Sequence, residues 1–129
     1  MKQHTQKKHA GIWIDNVKAI IISNSPENED YAIQDQVKAK ENHSSGSEHT
    51  MNNARQSDML KYFKNLSGLL SGYDEILIFG PGTSQEQFQH HLQEDTQFKN
   101  KLITIESADH LTDPQMIARV RDFFKSHQS

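Results

Sequence analysis

A chain of 129 residues, 33% of them apolar, has room for one hydrophobic core and not for two. The absence of cysteine excludes disulfides, thiolate zinc sites and thiol nucleophiles, and no run of about 18 apolar residues offers a membrane span. A formal charge of −3 excludes a uniformly basic coat for DNA, although residues 1–64 carry nine basic and eight acidic side chains while residues 65–129 carry five and nine, which assigns any polyanion contact to the first half.

The polar start, Met1 to Lys8, lacks the apolar stretch of a secretory signal and reads as a flexible leader over 1–8 of a cytoplasmic protein, ahead of one domain over 9–126. Gly11-Ile12-Trp13-Ile14 and Val17-Lys18-Ala19-Ile20-Ile21-Ile22 are β-branched runs joined at Asp15-Asn16, a pair that tolerates turn angles, so a β-hairpin is expected. Trp13 belongs in the core, on a strand facing a helix. After the Ser25-Pro26 break, partial alternation over Tyr31 to Lys40 predicts a third antiparallel strand at the sheet edge. Residues 41–51, with Ser44-Ser45-Gly46-Ser47 at their centre, hold almost nothing that could be buried and predict a mobile loop.

From Asn53 the spacing of Met59, Phe63, Leu66 and Leu70, with Tyr62 and Leu69 beside them, predicts an amphipathic helix ending near Gly72. The short apolar run Ile76-Leu77-Ile78-Phe79 predicts a strand buried on both faces. Gly80-Pro81-Gly82-Thr83-Ser84 then leads into a helix over Gln85 to Glu94, with Thr83 or Ser84 as cap and Glu86 or Gln87 to close a capping box. Lys101 to Ile105 is a further strand. Pro114 suits the first turn of a last helix, on which Ile117, Val120, Phe123 and Phe124 share a face. The whole is an α/β domain: an antiparallel β-meander followed by βαβ-type strands, one mixed sheet with flanking helices, an order that matches ribonuclease H-like folds.

The run Ile76-Leu77-Ile78-Phe79-Gly80-Pro81-Gly82-Thr83-Ser84-Gln85-Glu86-Gln87-Phe88, with Gly11 to Ile22 and the loop-then-helix at 41–72, resembles the central domain of archaeal and eukaryotic peptide-chain release factors and of Pelota. There, too, a hydrophobic strand enters a Gly/Ser-Pro-Gly turn before a helix that opens on a Lys/Gln-Glu-Gln/Glu-Phe pattern. The resemblance covers residues 9–125 and extends to short bacterial chains grouped as translational machinery proteins. It implies a ribonuclease H-like sheet and the ribosome or its RNA as partner; from the residues themselves no cofactor is expected. Release factors carry Gly-Gly-Gln at the tip of the loop before the long helix, but here that loop reads Asn42-His43-Ser44-Ser45-Gly46-Ser47-Glu48-His49-Thr50. The resemblance therefore does not extend to peptide release. Pelota also lacks the tripeptide, which keeps ribosome binding open.

Candidate site residues fall into three groups. Lys38, Lys40, Arg55, Lys61 and Lys64 bracket the 41–51 loop and, with His43 and His49 in it, form the expected RNA-facing surface, the competing reading being an ordinary solvated face. Gly80, Gly82, Thr83 and Ser84 offer a weaker anion site at a helix N-terminus, or simply a structural turn; the sequence is neither a Walker A loop nor a dinucleotide fingerprint. Asp15 sits where nucleases of this fold class hold a metal-binding carboxylate, yet the next expected position is Gly80-Pro81, and an Asx turn is the simpler reading. No metal site is expected: adjacent His90 and His91 point about 100° apart on a helix and do not chelate together.

The expected function is a noncatalytic, ribosome-associated, translation-linked factor with a hibernation, rescue or stress role. The alternatives are a small anion- or nucleotide-binding domain or enzyme using the Gly80 to Ser84 turn, or a protein-interaction module. No nucleophile and base stand at a recognisable spacing.

Overall fold

A computed structural model of the chain describes residues 8–24, 30–39 and 48–126, with backbone alone for 48–57. Its elements are β1 (His9–Ile14), β2 (Lys18–Asn24), β3 (Tyr31–Lys38), α1 (Glu48–Leu70), β4 (Glu75–Gly80), α2 (Ser84–Gln93), a 3-10 turn (Thr96–Phe98), β5 (Leu102–Ser107) and α3 (Asp113–Ser126). The five strands form one mixed sheet in the order β3-β2-β1-β4-β5. The meander β1-β2-β3 is antiparallel, whereas β1-β4 and β4-β5 are parallel. This is the α/β architecture with a ribonuclease H-like mixed sheet and flanking helices that the element order implies.

Alternation along the strands divides the core in two. Ile12, Ile14, Ile21, Ile76 and Ile78 pack with Phe63, Leu66 and Leu70 of α1 and with Phe88 and Leu92 of α2. Trp13, Ile20, Ile22, Leu77 and Phe79 pack on the other face with Met116, Val120 and Phe124 of α3. The sheet is thus the middle layer, with α1 and α2 on one side and α3 on the other. The central strands β1 and β4 are buried on both faces, which is why they read as continuous apolar runs.

The edge strand β3 explains its own partial alternation. A register shift between Ile21 and Ile22 leaves Ile22 opposite Ile33 but Ile21 opposite Asp35. The extra residue reverses the facing of the strand. Tyr31 and Ile33 accordingly pack towards α3, and Val37 towards α1.

Several local expectations are corrected. Helix α1 begins at Glu48 rather than Asn53, so residues 48–51, expected in the loop, are helical; residues 41–47 lie outside the described residues. Leu69 faces solvent, 37% exposed, because the apolar stripe runs through Tyr62, Phe63, Leu66 and Leu70. The expected capping box on α2 does not form. Thr83 sits at φ −114°, ψ −1° and makes no side-chain cap bond, since that ψ lies away from the extended region from which a cap oxygen reaches the first turn. A capping box closes instead on α3, where the Thr112 hydroxyl accepts from the Gln115 N–H at 3.3 Å and the Gln115 side chain accepts from the Thr112 N–H at 2.9 Å. Lys8, assigned to the leader by sequence, is tied down: its N–H donates to the Asp74 carboxylate at 3.0 Å and its carbonyl accepts from the Asp74 N–H at 2.8 Å. Residues 1–7 lie outside the described residues. Among the described residues no helix is long and apolar enough to cross a membrane.

Candidate nucleic-acid interface

The β1-β2 turn organises one end of the molecule. Asp15 Oδ1 accepts from the N–H groups of Val17 and Lys18, each at 2.8 Å, and the Asp15 N–H donates to the Lys18 carbonyl at 3.0 Å. The carboxylate is therefore committed to an Asx turn, and Gly80 stands where a second metal-binding acid would be needed. Tyr62 of α1 donates its hydroxyl to the Asp15 carbonyl at 3.2 Å. Burial, with the Asp15 charge adding to it, holds the Tyr62 phenol well above its ordinary range.

That contact fixes the position of α1. Its far end lies by Ser23, whose hydroxyl receives the Tyr73 phenol at 3.1 Å, so the helix runs back along the sheet with Tyr62 at the hairpin end. Residues 48–57 continue the helix axis about 15 Å further in that direction, at 1.5 Å per residue.

Lys38 closes β3 at the same end. It stands directly opposite Lys18 across the β2-β3 ladder, and both residues point to the α3 side of the sheet. Lys18 Nζ lies 5.9 Å from the centre of the Trp13 ring. Lys61 and Lys64 are exposed and one turn apart on α1, beside Tyr62 and across the sheet from Lys38. The hairpin end is thus flanked by lysines from both layers: Lys18 and Lys38 on one side, Lys61 and Lys64 on the other. Lys18 was missed by sequence reasoning, which gathered cations around the 41–51 loop; pairing the hairpin arms through their turn is the signal that finds it. The side chains of Lys40, His43, His49 and Arg55 lie outside the described residues.

Groups at both ends of the Gly80 to Ser84 turn are committed. The Gly80 carbonyl accepts from the Ala108 N–H at 2.9 Å, and the buried Ser84 hydroxyl donates to Asn16 Oδ1 at 2.5 Å. Gly82 and Thr83 are exposed. His91 packs against the rings of Phe63 and Phe88, at 5.6 and 6.2 Å, while His90 is exposed. Among the described residues, no three His, Asp or Glu side chains gather as a metal site. Trp13 is fully buried, and its Nε1–H donates to the Asp109 carbonyl at 3.3 Å.

No known family model and no curated protein match the sequence. Solved structures do. Pelota of Archaeoglobus fulgidus superposes with a TM-score of 0.62 at 12% identity, over 95% of this chain and 34% of that one. Pelota of Thermoplasma acidophilum gives 0.58 at 16% identity, over 93% and 39%, and an archaeal translation termination factor gives 0.51 at 14% identity, over 93% and 40%. The chain spans little more than a third of the length of these proteins. Its fold, over nearly all of its residues, is that of a ribonuclease H-like domain of Pelota and the archaeal termination factor.

Proposed function

We propose that this chain is a noncatalytic, translation-linked factor that contacts ribosomal RNA through the hairpin end: Lys18 and Lys38 on one side, Lys61 and Lys64 on the other, with Lys40, His43, His49 and Arg55 of the intervening segment. The observation that carries this reading is the direct opposition of Lys18 and Lys38 across β2-β3. Like charges facing each other on a sheet are unfavourable, and a polyanion relieves the repulsion. The shared fold with Pelota and a translation termination factor supplies the class of partner. A net-negative protein approaches RNA only through such a locally positive surface, and phosphate contacts position it without reading bases. Within this reading the role is hibernation, rescue or stress survival.

Co-sedimentation of the full chain with ribosomes across a salt series tests the proposal. The wild type should pellet with ribosomes at low salt and dissociate as salt rises. Lys18→Glu/Lys38→Glu and Lys61→Glu/Lys64→Glu should each bind more weakly and lower the salt slope by about 1.5 to 2, one phosphate contact per lysine. Arg55→Glu should weaken binding in the same direction. Wild-type protein that stays in the supernatant at low salt rejects the proposal, and so do reversals that bind as the wild type does.

A further inference from the structure

The two edges of the sheet are built differently. The β3 edge carries a register shift and exposed Asp35 and Lys38, the devices that stop a sheet from adding strands. The β5 edge carries neither device over Leu102-Ile103-Thr104-Ile105, and Leu102 is 61% exposed. The charges at its ends are turned away: Lys101 donates to the carbonyls of Ser71 and Tyr73 at 2.8 and 2.6 Å, and Glu106 pairs with Arg119 at 3.0 Å.

The ladder identifies the open groups. The Leu102 N–H donates to the Asp74 carbonyl and the Ala108 N–H to the Gly80 carbonyl, so the even-numbered residues face β4 and Ile103, Ile105 and Ser107 face outward. Arg119 covers the Ser107 carbonyl at 3.2 Å. Among the described residues nothing pairs with the outward N–H and C=O groups of Ile103 and Ile105.

A cleft of about 360 Å³ lies against this edge, walled by Gln85, Glu86 and His90 of α2 and by Ile105 to Ser107. Side chains alternate along a strand, so lining by three consecutive residues means that the cleft runs along the backbone of the last residues of β5. Gln85 is 2% exposed, and its Oε1 is buried with no hydrogen-bond partner. An unpaired buried acceptor is costly unless a donor arrives. The carboxylate of Glu86 borders the same cleft, which sets the charge of that donor, while that of Glu106 is held by Arg119 on the α3 side.

The geometry points to β5 as a docking edge for an extended segment of a partner protein that adds a strand beside Ile103 and Ile105 and places one lysine or arginine side chain in the cleft, against Gln85 Oε1 and Glu86. Main-chain bonds supply the affinity and the cleft supplies the selectivity. This site lies on the α2-β5 side, apart from the lysines of the hairpin end, and stands or falls independently of RNA contact.

The test uses the full chain and a blocked heptapeptide of alternating threonine and valine with a central arginine, compared with the same peptide carrying glutamate there. Fluorescence anisotropy should show the arginine peptide binding about tenfold tighter. Ile105→Pro removes an outward N–H without touching the ladder and should weaken binding about fivefold to tenfold, with the far-ultraviolet circular dichroism spectrum unchanged. Glu86→Lys, on an exposed position, should remove the preference for arginine. Equal affinity for the two peptides, no binding at millimolar concentration, or unchanged binding by both variants overturns the proposal. So does a wild-type dimer in sedimentation that Ile105→Pro dissociates, since the occupant of the edge is then a second copy of the chain.

Discussion

The Ser84 hydroxyl donates to Asn16 Oδ1 at 2.5 Å, tying the first turn of α2 to the turn of the β1-β2 hairpin across 68 positions of sequence. Ser84 is buried and Asn16 is exposed, so the two halves of the bond are unequal. Asn16→Ala leaves a buried hydroxyl without a partner and should cost about 1–3 kcal/mol in urea denaturation. Ser84→Ala leaves only a solvated amide and should cost less. The reverse order would show that the hairpin turn depends on Asn16 for its own conformation.

Gly80 and Gly82 differ in what surrounds them. A Cβ on Gly80, at φ +156°, runs into the Ile14 carbonyl oxygen, whereas Gly82 at φ +68° has no atom within 4 Å of that position. Gly80→Ala should therefore cost roughly 3 kcal/mol or more, since the obstacle is backbone. Gly82→Ala should cost only about 1–2 kcal/mol, the left-handed conformation alone. Thermal melts of the two variants read the difference directly.

Gly11 lies under Val120 of α3, and a Cβ there meets the valine methyl groups. Gly11→Ala should destabilise by about 1–3 kcal/mol through overpacking. Val120→Ala opens the space, so the double variant should be more stable than the sum of the single losses predicts, with a coupling of about 0.5–3 kcal/mol. Additive losses in chemical denaturation would mean that α3 shifts as a body instead.

Tyr31 and Tyr62 both have phenol pKa values raised from the ordinary 10.0, chiefly by burial, with Glu75 and Asp15 respectively adding to it. The folded chain then holds phenolic protons that the unfolded chain releases. This contribution to stability is complete below pH 10 and is lost as pH rises beyond it. Tyr62→Phe should lower stability at neutral pH by about 1 kcal/mol, the bond to the Asp15 carbonyl, and should flatten the decline above pH 10. An equally steep alkaline decline in Tyr62→Phe would assign the effect to other groups.

Local chemistry in the sequence determined the elements and their order. Asp15-Asn16 between two β-branched runs specifies a hairpin, the unbroken run Ile76 to Phe79 specifies a strand covered on both faces, and Met59, Phe63, Leu66 and Leu70 specify the buried face of α1. Each is an interaction of near neighbours or a periodicity of one element, and such signals survive without knowledge of the partner. The resemblance carried by Gly80 to Phe88 likewise matched the fold of the solved structures. Tertiary structure decided what depends on register between distant segments. The shift between Ile21 and Ile22 reverses the facing of β3, and with it brings Lys38 opposite Lys18, which no spacing along the chain foretells. The Ser84 hydroxyl, a natural cap by its position, is taken by Asn16, and the box closes at Thr112 and Gln115 instead. Whether β5 has a covered edge is a property of the whole sheet: the residues Leu102 to Ile105 read alike in a central and an edge strand, and only the sheet order leaves them open.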